Sequence, residues 1–532
     1  MKRDESLDRV RSQQQPYDVL VIGGGATGLG AALDAASRGL TALLLEQHDF
    51  AKGTSSRSTK LVHGGVRYLA QGDIALVREA CRERGLLQKN ARHLVKNETF
   101  VIPAYKWWTK PFYTIGLTMY DVLAGSLSLG RSLPVSRKDT IRRLPTVKKN
   151  KLSGGVKYHD GQFDDSRLAI NVAQTTEELG GTVINYMKVT GLLKTNGKVS
   201  GVTAVDQESG EAFTINAKTV VNATGVFVDD ILSMDQPEHK NMVRPSQGVH
   251  LVLDKEFFPG EDALMIPKTS DGRVLFAVPW HDKVVVGTTD TPLDEHSLEP
   301  KALEEEIEFI LATAKEYLIQ APTRKDVKSV FAGLRPLAAP QGDSQKTKEI
   351  SRSHKLLVSE SGLLTMTGGK WTTFRKMGED TIDKAIKIGE LSAQKCGTET
   401  LPIHGSEQTH PFSDPMYFYG SDKDRILQLG KENERFGEKI HADHPYLIAE
   451  VVWAVRNEMA RNVEDFLARR TRVLFLDARA AIDMAPVVAE VMAAELGKND
   501  TWISEQIEDF VKLANRYLLE EYKPVLTEKE HN

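Results

Sequence analysis

Residues 17–50 read "YDVLVIGGGATGLGAALDAASRGLTALLLEQHDF" and decide the fold. The apolar run VLVI is typical of a parallel strand that is buried on both faces. Gly23, Gly25 and Gly28 follow it as G-x-G-x-x-G, which gives a tight turn, close backbone approach to a pyrophosphate, and close helix packing. Glu46 ends the next apolar strand, where a carboxylate can bind a ribose hydroxyl pair. The stretch therefore predicts a dinucleotide-binding unit rather than a Gly-rich turn in an ordinary α/β core.

Composition narrows the class of protein. A chain of 532 residues is long enough for two or three domains. Its net charge of −4 differs from the basic character of proteins that bind nucleic acids. Cys81 and Cys396 lie far apart and give neither a disulfide framework nor a metal site. The polar N-terminus has no secretory apolar stretch, and no apolar run reaches the roughly 18 residues of a spanning helix. We expect a protein of a reducing compartment that is soluble or at most attached to a membrane surface.

The chain is organised as a split nucleotide-binding domain followed by a helical region. The patterning predicts a doubly wound, Rossmann-like α/β fold with an inserted β-rich substrate domain and a C-terminal α-helical domain. The first region, residues 16–400, has nucleotide-binding segments at about 16–100, 155–244 and 331–400, and substrate or cap segments at about 101–154 and 245–330. Residues 401–532 form the helical domain, in which one amphipathic stripe runs through Val452, Val455, Met459, Val463, Phe466 and Leu467.

A hydroxyl-rich loop follows the first unit. Residues 53–69, "GTSSRSTKLVHGGVRYL", offer backbone and side-chain donors to a second phosphate or to the edge of a flavin. The composition alone favours an ordinary Ser/Thr-rich loop. The glycine motif also does not separate NAD from FAD, so these residues leave the cofactor open.

The whole sequence resembles a known family. The motifs that carry the match are "VIGGGATGLGAALDAASRGL", "GTSSRSTKLVHGGVRYL", "YHDGQFDDSRL", "NATGVFVDD", "VGTTDT", "AGLRPLA", "GGKWTTFRKM" and the tail segment "WAVRNEMARNVEDFLARRTRVLFLDARAA". They resemble the FAD-dependent (aerobic) glycerol-3-phosphate dehydrogenases of the D-amino-acid-oxidase-like flavoprotein superfamily, over nearly all the chain after residue 15. Val226-Phe227 departs from a Pro-Trp pair that is frequent in the family.

The resemblance implies a reaction and a set of partners. The substrate would be sn-glycerol 3-phosphate, oxidised at C2 to dihydroxyacetone phosphate by hydride transfer to non-covalent FAD, and the electrons would pass to a membrane quinone in glycerol metabolism. Three alternatives stay open at this point: a glycerol-3-phosphate oxidase that uses oxygen, an amine or amino-acid oxidase, and a non-catalytic flavin-binding sensor. The oligomeric state is also open, a homodimer included.

The resemblance also assigns the site. A phosphate needs several cations, preferably arginines with their bidentate geometry. The expected catalytic residues are His63, Arg335 and Lys370, and the base is His63 or Arg335; covalent flavin attachment through His63 is disfavoured. The expected substrate-binding residues are Arg67, Tyr68, Arg335, Arg352 and Lys370. The expected cofactor-binding residues are Gly23, Gly25, Ala26, Thr27, Gly28, Glu46, Thr54, Ser55, Ser56, Ser58, Lys60, Leu61, Val189, Ala223, Thr224, Gly225, Gly369, Lys370, Thr372 and Thr373.

Two of these cations have distinctive local settings. Arg335 is expected in an apolar loop between Leu334 and Pro336, where an exposed ion pair would be unusual. Lys370 follows a glycine turn at a predicted helix start, where a cation opposes the helix dipole. That local cost favours a functional role for Lys370, on a phosphate or beside the flavin.

One stretch bears on the membrane. "YKWWTKPFYTIGLTMYDVL" begins with Trp107, Trp108 and two lysines and continues as a helix from Pro111 with an apolar stripe. Aromatic and basic residues at the head of an amphipathic helix suit a monotopic membrane contact. The alternative is a cap helix packed on the substrate domain. We expect a cytoplasmic protein that attaches peripherally to the inner face of the cell membrane.

Overall fold

The computed structural model describes residues 1–69, 72–269, 272–338 and 354–522. Its strands are β1 (Tyr17–Ile22), β2 (Ala42–Leu45), β3 (Leu61–Val62), β4 (Lys96–Ala104), β5 (Leu133–Val135), β6 (Gly154–Gln162), β7 (Thr182–Ile184), β8 (Met187–Thr195), β9 (Lys198–Asp206), β10 (Ala212–Asn222), β11 (Val243–Asp254), β12 (Ala263–Ile266), β13 (Leu275–Trp280), β14 (Lys283–Gly287), β15 (Thr291–Pro292), β16 (Val327–Ala338), β17 (Lys355–Val358) and β18 (Leu364–Thr367). Its helices are α1 (Arg3–Ser12), α2 (Ala26–Ser37), α3 (Val66–Leu69), α4 (Ile74–Asn90), α5 (Thr109–Ala124), α6 (Arg137–Arg143), α7 (Asp165–Glu178), α8 (Val228–Asp235), α9 (Glu304–Tyr317), α10 (Phe374–Gly389), α11 (Lys423–Glu432), α12 (Ile448–Asn457), α13 (Val473–Leu476), α14 (Ala478–Leu496) and α15 (Asp500–Asn515).

The first sheet is mostly parallel and carries the glycine turn. Its strand order is β17-β18-β10-β1-β2-β7, with β17 antiparallel at one edge and the β8–β9 hairpin extending from β10. β1 lies between β10 and β2, parallel to both, and its apolar residues are buried as the VLVI pattern predicts. Because parallel strands end at the same edge, the turns after β1, β10 and β18 meet there.

Helices cover the first sheet at close range. α2 packs against both α10 and α7. The α2–α10 contact depends on glycines: a Cβ on Gly30 would come within 2.6 Å of the Phe374 carbonyl oxygen, and Gly378 faces the backbone of Gly30. The early and late segments therefore form one packed α/β unit, which confirms the expected fold class.

The second sheet is mostly antiparallel and is built from several insertions. Its order is β15-β11-β14-β13-β12-β4-β6-β3, with β16 paired to β11 and β5 paired to β6. The longest pairing joins β11 to β16 and sets Ser246 opposite Arg335. Arg335 thus lies in a strand, not in the predicted apolar loop, because β11 supplies a full ladder of partners for that segment.

The C-terminal region is helical, but its predicted amphipathic stripe is not one helix. α12 ends at Asn457, Met459 has a left-handed φ of 55°, and a π-helical turn follows at Asp465–Arg470. The break sets Glu458 against the buried Arg167 of α7, with two hydrogen bonds of 2.8 and 2.7 Å. A long-range ion pair therefore interrupts a pattern that is locally helical.

Buried arginines join this region to the first unit. Arg470 donates two hydrogen bonds to the carboxylate of Asp49, of 2.7 and 3.0 Å, and Arg469 donates one of 2.5 Å. Arg472 donates to Asp165 at 3.0 Å and to the Ser56 carbonyl at 2.6 Å. Buried charges persist only when they are paired in this way.

Within the described ranges, the structure contains no helix with the length and apolar character that crossing a bilayer requires.

Candidate active site

A cavity of about 570 Å³ opens where the carboxyl ends of the first sheet face the second sheet. This volume is in the usual range for cofactor and ligand sites, about 300–1,000 Å³. Its walls come from the turns after β1, β10 and β18, from the loop after β2, and from strands β11 and β16. The topology thus brings together sequence segments that are more than 300 residues apart.

The glycine turn forms one wall. Gly23 has a φ of +107°, and a Cβ there would approach the Ala223 carbonyl oxygen to 2.8 Å, so the turn tolerates only glycine. Gly25 precedes α2, and the first helical amide, that of Ala26, donates to Ser55 Oγ at 2.9 Å. Gly25, Ala26 and Thr27 line the cavity, so the N-terminus of α2 faces it, which is the setting that binds a pyrophosphate.

Glu46 lies beside this turn, where the sequence predicts it. One carboxylate oxygen accepts from the Gly24 amide at 2.6 Å and the other from the His48 amide at 2.8 Å. Burial raises the pKa of Glu46, and the two amides oppose that rise by binding the carboxylate. The carboxylate is thereby fixed at the cavity wall, with lone pairs left for ribose hydroxyls. Together with the glycine cradle, this arrangement fits the adenosine half of FAD.

Most of the predicted cofactor residues line the cavity. The members that do so are Gly23, Gly25, Ala26, Thr27, Glu46, Thr54, Ser55, Ser58, Leu61, Val189, Ala223, Thr224, Gly225, Gly369, Lys370 and Thr372. Thr54 Oγ1 donates to the Leu334 carbonyl at 2.6 Å, and the Trp371 indole donates to the Ser55 carbonyl at 2.8 Å. These bonds fix the hydroxyl-rich loop between β16 and the turn after β18.

Four predicted residues do not line the cavity. Gly28 packs against Gly23, where a Cβ would collide with the backbone, and Thr373 Oγ1 donates to the Lys370 carbonyl. Ser56 is buried and its carbonyl accepts from Lys60 Nζ at 2.7 Å. Their roles in this structure are packing and loop support rather than direct contact with a ligand in the cavity.

Lys60 is the fourth predicted cofactor residue that does not line the cavity. Its ammonium is fully buried, donates to Asp165 at 2.8 Å and lies over the rings of Trp280, Phe331 and Phe475. Burial, reinforced by the nearby Arg472, lowers the pKa of Lys60 to about 7, although Asp165 opposes that change. Lys60 has a left-handed φ of 63°, which turns its side chain away from the cavity into the contact with the C-terminal region.

His63, Arg335 and Lys370, the expected catalytic residues, all line the same cavity. The His63 amide donates to Thr372 Oγ1 at 3.2 Å, so the histidine loop is tied to the turn that carries Lys370. Arg335 Nη1 lies 3.3 Å from Asp290 Oδ1, and its Nη2 donates to Thr288 Oγ1 at 3.2 Å. An imidazole and two cations thus converge on one space beside the glycine-turn wall.

The remaining substrate residues are only partly described. Arg67 and Tyr68 lie in α3, directly after the His63 loop, but their side chains fall outside the described residues. Arg352 also lies outside them. The roles of these three residues stay predictions.

The sequence reasoning missed His250. This histidine of β11 lines the cavity, is 2% exposed, stacks on Phe331 with ring centroids 4.8 Å apart, and has Nε2 2.8 Å from Thr59 Oγ1. Burial, reinforced by Lys60 and Arg335, lowers the pKa of His250 well below its usual range, so the ring is neutral. The strand pattern "GVHLVLD" does not predict a functional role for this position, because a histidine among apolar residues is usually part of the core.

Comparisons with known proteins agree with this geometry. The FAD dependent oxidoreductase family matches residues 18–375, and the C-terminal domain of alpha-glycerophosphate oxidase matches residues 396–502. The mitochondrial glycerol-3-phosphate dehydrogenase of Schizosaccharomyces pombe is 38% identical over 564 residues, covering 93% of this chain and 87% of that protein. The mitochondrial enzyme of Bos taurus is 40% identical over 527 residues, covering 92% of this chain and 72% of that protein.

A solved structure extends the likeness to the whole fold. The glycerol-3-phosphate dehydrogenase from Bacillus halodurans, complexed with FAD, superposes with a TM-score of 0.80 at 30% identity and covers 98% of this chain and 99% of that chain. The glycine turn, the fixed Glu46 carboxylate and the size of the cavity fit the FAD that this family binds. The chain therefore belongs to the family of FAD-dependent glycerol-3-phosphate dehydrogenases.

Proposed function

We propose that the protein oxidises sn-glycerol 3-phosphate to dihydroxyacetone phosphate and passes the electrons to a membrane quinone. The observation that carries the proposal is that His63, Arg335 and Lys370 line the cavity that also contains the glycine turn and Glu46. When bound, FAD supplies a hydride acceptor for C2 of the substrate. The residues of this chain then have to bind the phosphate, orient C2 and take up the hydroxyl proton.

We assign the proton to His63. An imidazole exchanges a proton near neutral pH, whereas a guanidinium keeps its protons. The Thr372 hydroxyl bonds to the backbone of His63, so the ring is carried by a loop fixed to the turn after β18, which also carries Lys370. His63 therefore has both the chemistry and the anchored position that a general base needs.

Arg335 and Lys370 supply positive charge. Four acceptors, the carbonyls of Gln247 and Thr289, the Asp290 carboxylate and the Thr288 hydroxyl, hold the guanidinium of Arg335 in one orientation at the cavity wall. A positive charge that is fixed in advance stabilises a phosphate dianion, or a developing alkoxide, at low reorganisation cost. Lys370 directly precedes the turn Trp371–Thr373 at the cavity wall. Its positive charge there would stabilise the negative charge that a bound flavin gains on reduction.

The exposed face of α5 supports attachment to a membrane. Trp107 is 86% exposed, and farther along the helix Phe112, Ile115 and Val122 are 59%, 65% and 74% exposed. A cap helix that packed through this apolar stripe would bury these side chains, but the buried face of α5 is the opposite one, with Leu117 and Tyr120. Lys106 lies over the Trp108 ring at 5.9 Å, so a cation stands at the aromatic head of the helix. Apolar residues with basic neighbours bind an anionic lipid surface, and a lipid-dissolved quinone is reached there. The cytoplasmic location stays a prediction.

Turnover with two acceptors tests the proposal. Purified holoenzyme should oxidise sn-glycerol 3-phosphate with a quinone analogue much faster than with oxygen, and added phospholipid should raise the quinone rate. Fast turnover with oxygen and none with the quinone would make the protein an oxidase. Failure of the substrate to bleach the flavin under anaerobic conditions would instead favour a non-catalytic sensor.

An arginine variant tests the site itself. Arg335→Ala should cost about 2–5 kcal/mol of transition-state binding, because it removes a charge-assisted contact from an enclosed site. The matched control is Arg244→Ala: this arginine, on the paired strand β11, lies 3.4 Å from the exposed Asp294. Steady-state kcat/KM measures both variants. If Arg335→Ala stayed within twofold of the wild type, the assignment would be wrong.

A further inference from the structure

Tyr120 lies on the face of α5 opposite the exposed one. It is 1% exposed, in a cluster with Cys81 and Ala124. Its hydroxyl accepts from the Gly64 amide at 2.7 Å and donates to Asp160 Oδ1 at 2.7 Å. Gly64 directly follows His63, so a side chain of α5 bonds to the backbone of the active-site loop.

Arg84 completes this contact. Its Nη1 donates to the Tyr120 hydroxyl at 2.9 Å and to Asp160 Oδ1 at 2.5 Å, and all three side chains are buried. A hydroxyl has one donor and two acceptor positions. Gly64, Arg84 and Asp160 use all of them, so the position of the Tyr120 hydroxyl is fixed from three directions.

The loop has little freedom of its own. A Cβ on Gly64 would lie 2.5 Å from the Tyr120 hydroxyl and would also collide with Cys81 Sγ. On its other side, the His63 amide and carbonyl bond to the Thr372 hydroxyl. The loop is therefore held between α5 and the turn after β18, and a displacement of α5 displaces the backbone beside His63.

We propose that Tyr120 is a positioning residue that transmits the docking of α5 on a lipid surface to the His63 loop. The inference rests on the proposed function, because it requires α5 to meet a bilayer and His63 to act on the substrate. A lipid surface that takes up the outer face of α5 restricts the helix, and the Tyr120–Gly64 bond then holds the loop in its reactive geometry. Misplacement of a catalytic group by about 1 Å costs about 100-fold in rate, so a small restriction has a large effect.

Replacement of the hydroxyl tests the coupling. Tyr120→Phe keeps the ring and removes the bonds to Gly64, Arg84 and Asp160; Tyr113→Phe, on the same helix, is the matched control. Holoenzymes are assayed with sn-glycerol 3-phosphate and a soluble dye, with and without phosphatidylcholine–phosphatidylglycerol vesicles. Vesicles should raise kcat of the wild type and of Tyr113→Phe severalfold. For Tyr120→Phe, kcat should be about tenfold lower, the loss expected from one hydrogen bond of about 1.4 kcal/mol, with KM, flavin absorbance and vesicle co-sedimentation unchanged and no response to vesicles.

Several outcomes would overturn the inference. A Tyr120→Phe enzyme that responds to vesicles as the wild type does would sink it, and so would a wild type that binds vesicles without a change in kcat. Amide hydrogen exchange of the wild-type peptide containing Gly64 provides a test that needs no variant: exchange should slow when vesicles are added, and unchanged exchange contradicts the coupling. Absence of any turnover of sn-glycerol 3-phosphate would reject the proposed function separately, since the exchange measurement requires no substrate.

Discussion

Gly25 is the residue at which a side chain would enter the cofactor cavity with the least disturbance of the surrounding backbone. A Cβ there would lie 3.1 Å from Ser55 Oγ, and the two methyls of a valine would extend into the space before the N-terminus of α2. We expect the wild type to be yellow, with FAD that acid precipitation releases into the supernatant. Gly25→Val should lose the flavin absorbance, while Gly397→Val, at a glycine with no atom within 4 Å of its Cβ position, should keep it. Retention of flavin by Gly25→Val, or flavin that stays in the acid pellet, would contradict this account.

The role of a single residue is easier to predict from sequence when it depends on the backbone than when it depends on the direction of the side chain. Gly23 and Glu46 were predictable because turn geometry and strand ends follow from local pattern. Lys60 was not, because its left-handed φ reverses the direction that the loop pattern suggests. His250 was not, because only the pairing of β11 and β16 and the contact with Thr59 bring it to the cavity wall.

Among the elements, α5 has the outer face that the membrane proposal uses. Replacing Trp107, Trp108 and Phe112 with Ser removes the exposed aromatic head of the helix, so co-sedimentation with anionic vesicles should fall. Turnover with a soluble dye in the absence of lipid should persist, because the inner face with Tyr120 is untouched. The exposed Leu427 of α11, replaced by Ser, serves as the control for a loss of surface apolar area elsewhere. Unchanged sedimentation of the triple variant would remove α5 from the proposal.

Element boundaries followed from the sequence only where local signals decide them. α5 begins at Thr109, two residues before the Pro111 at which the sequence places its start, and a proline in the first turn is compatible with that geometry. The break after α12 was not predictable, because it accompanies the pairing of Glu458 with Arg167, 291 residues away. The spacing of apolar residues along the chain does not reveal such a distant partner.

Across the whole molecule, His404 joins the end of α7 to the C-terminal region. Its Nδ1 lies 2.5 Å from Glu178 Oε1 and its Nε2 lies 2.7 Å from Asp422 Oδ2, with Arg425 on the far side of Asp422. Burial opposes the charge, but the two carboxylates raise the pKa of His404 to about 9. The folded pKa exceeds the unfolded value of about 6.5, so the stabilisation is complete below that pH and is lost as pH rises through about 9.

A comparison of melting temperatures checks this link. Between pH 6.5 and 9.5 the wild type should lose about 3 kcal/mol more stability than His404→Gln, because the pKa is raised from about 6.5 to about 9 and each pKa unit corresponds to about 1.4 kcal/mol. Parallel pH profiles for the two proteins would rule out a charged His404.

The same contact bears on how the chain divides into domains. We propose that the boundary near residue 400 divides the sequence into two regions that stabilise each other and unfold together.

The buried arginines that join these regions also set an order of events during synthesis. The loop after β2, which lines the cavity, takes its support from Arg470, 421 residues after Asp49, and from Arg472, 416 residues after Ser56. A nascent chain on the ribosome has completed the glycine turn early but still lacks these supports. The mature cofactor pocket therefore requires residues 470–472 to be synthesised and folded against the first unit, and we expect stable flavin capture only after that point.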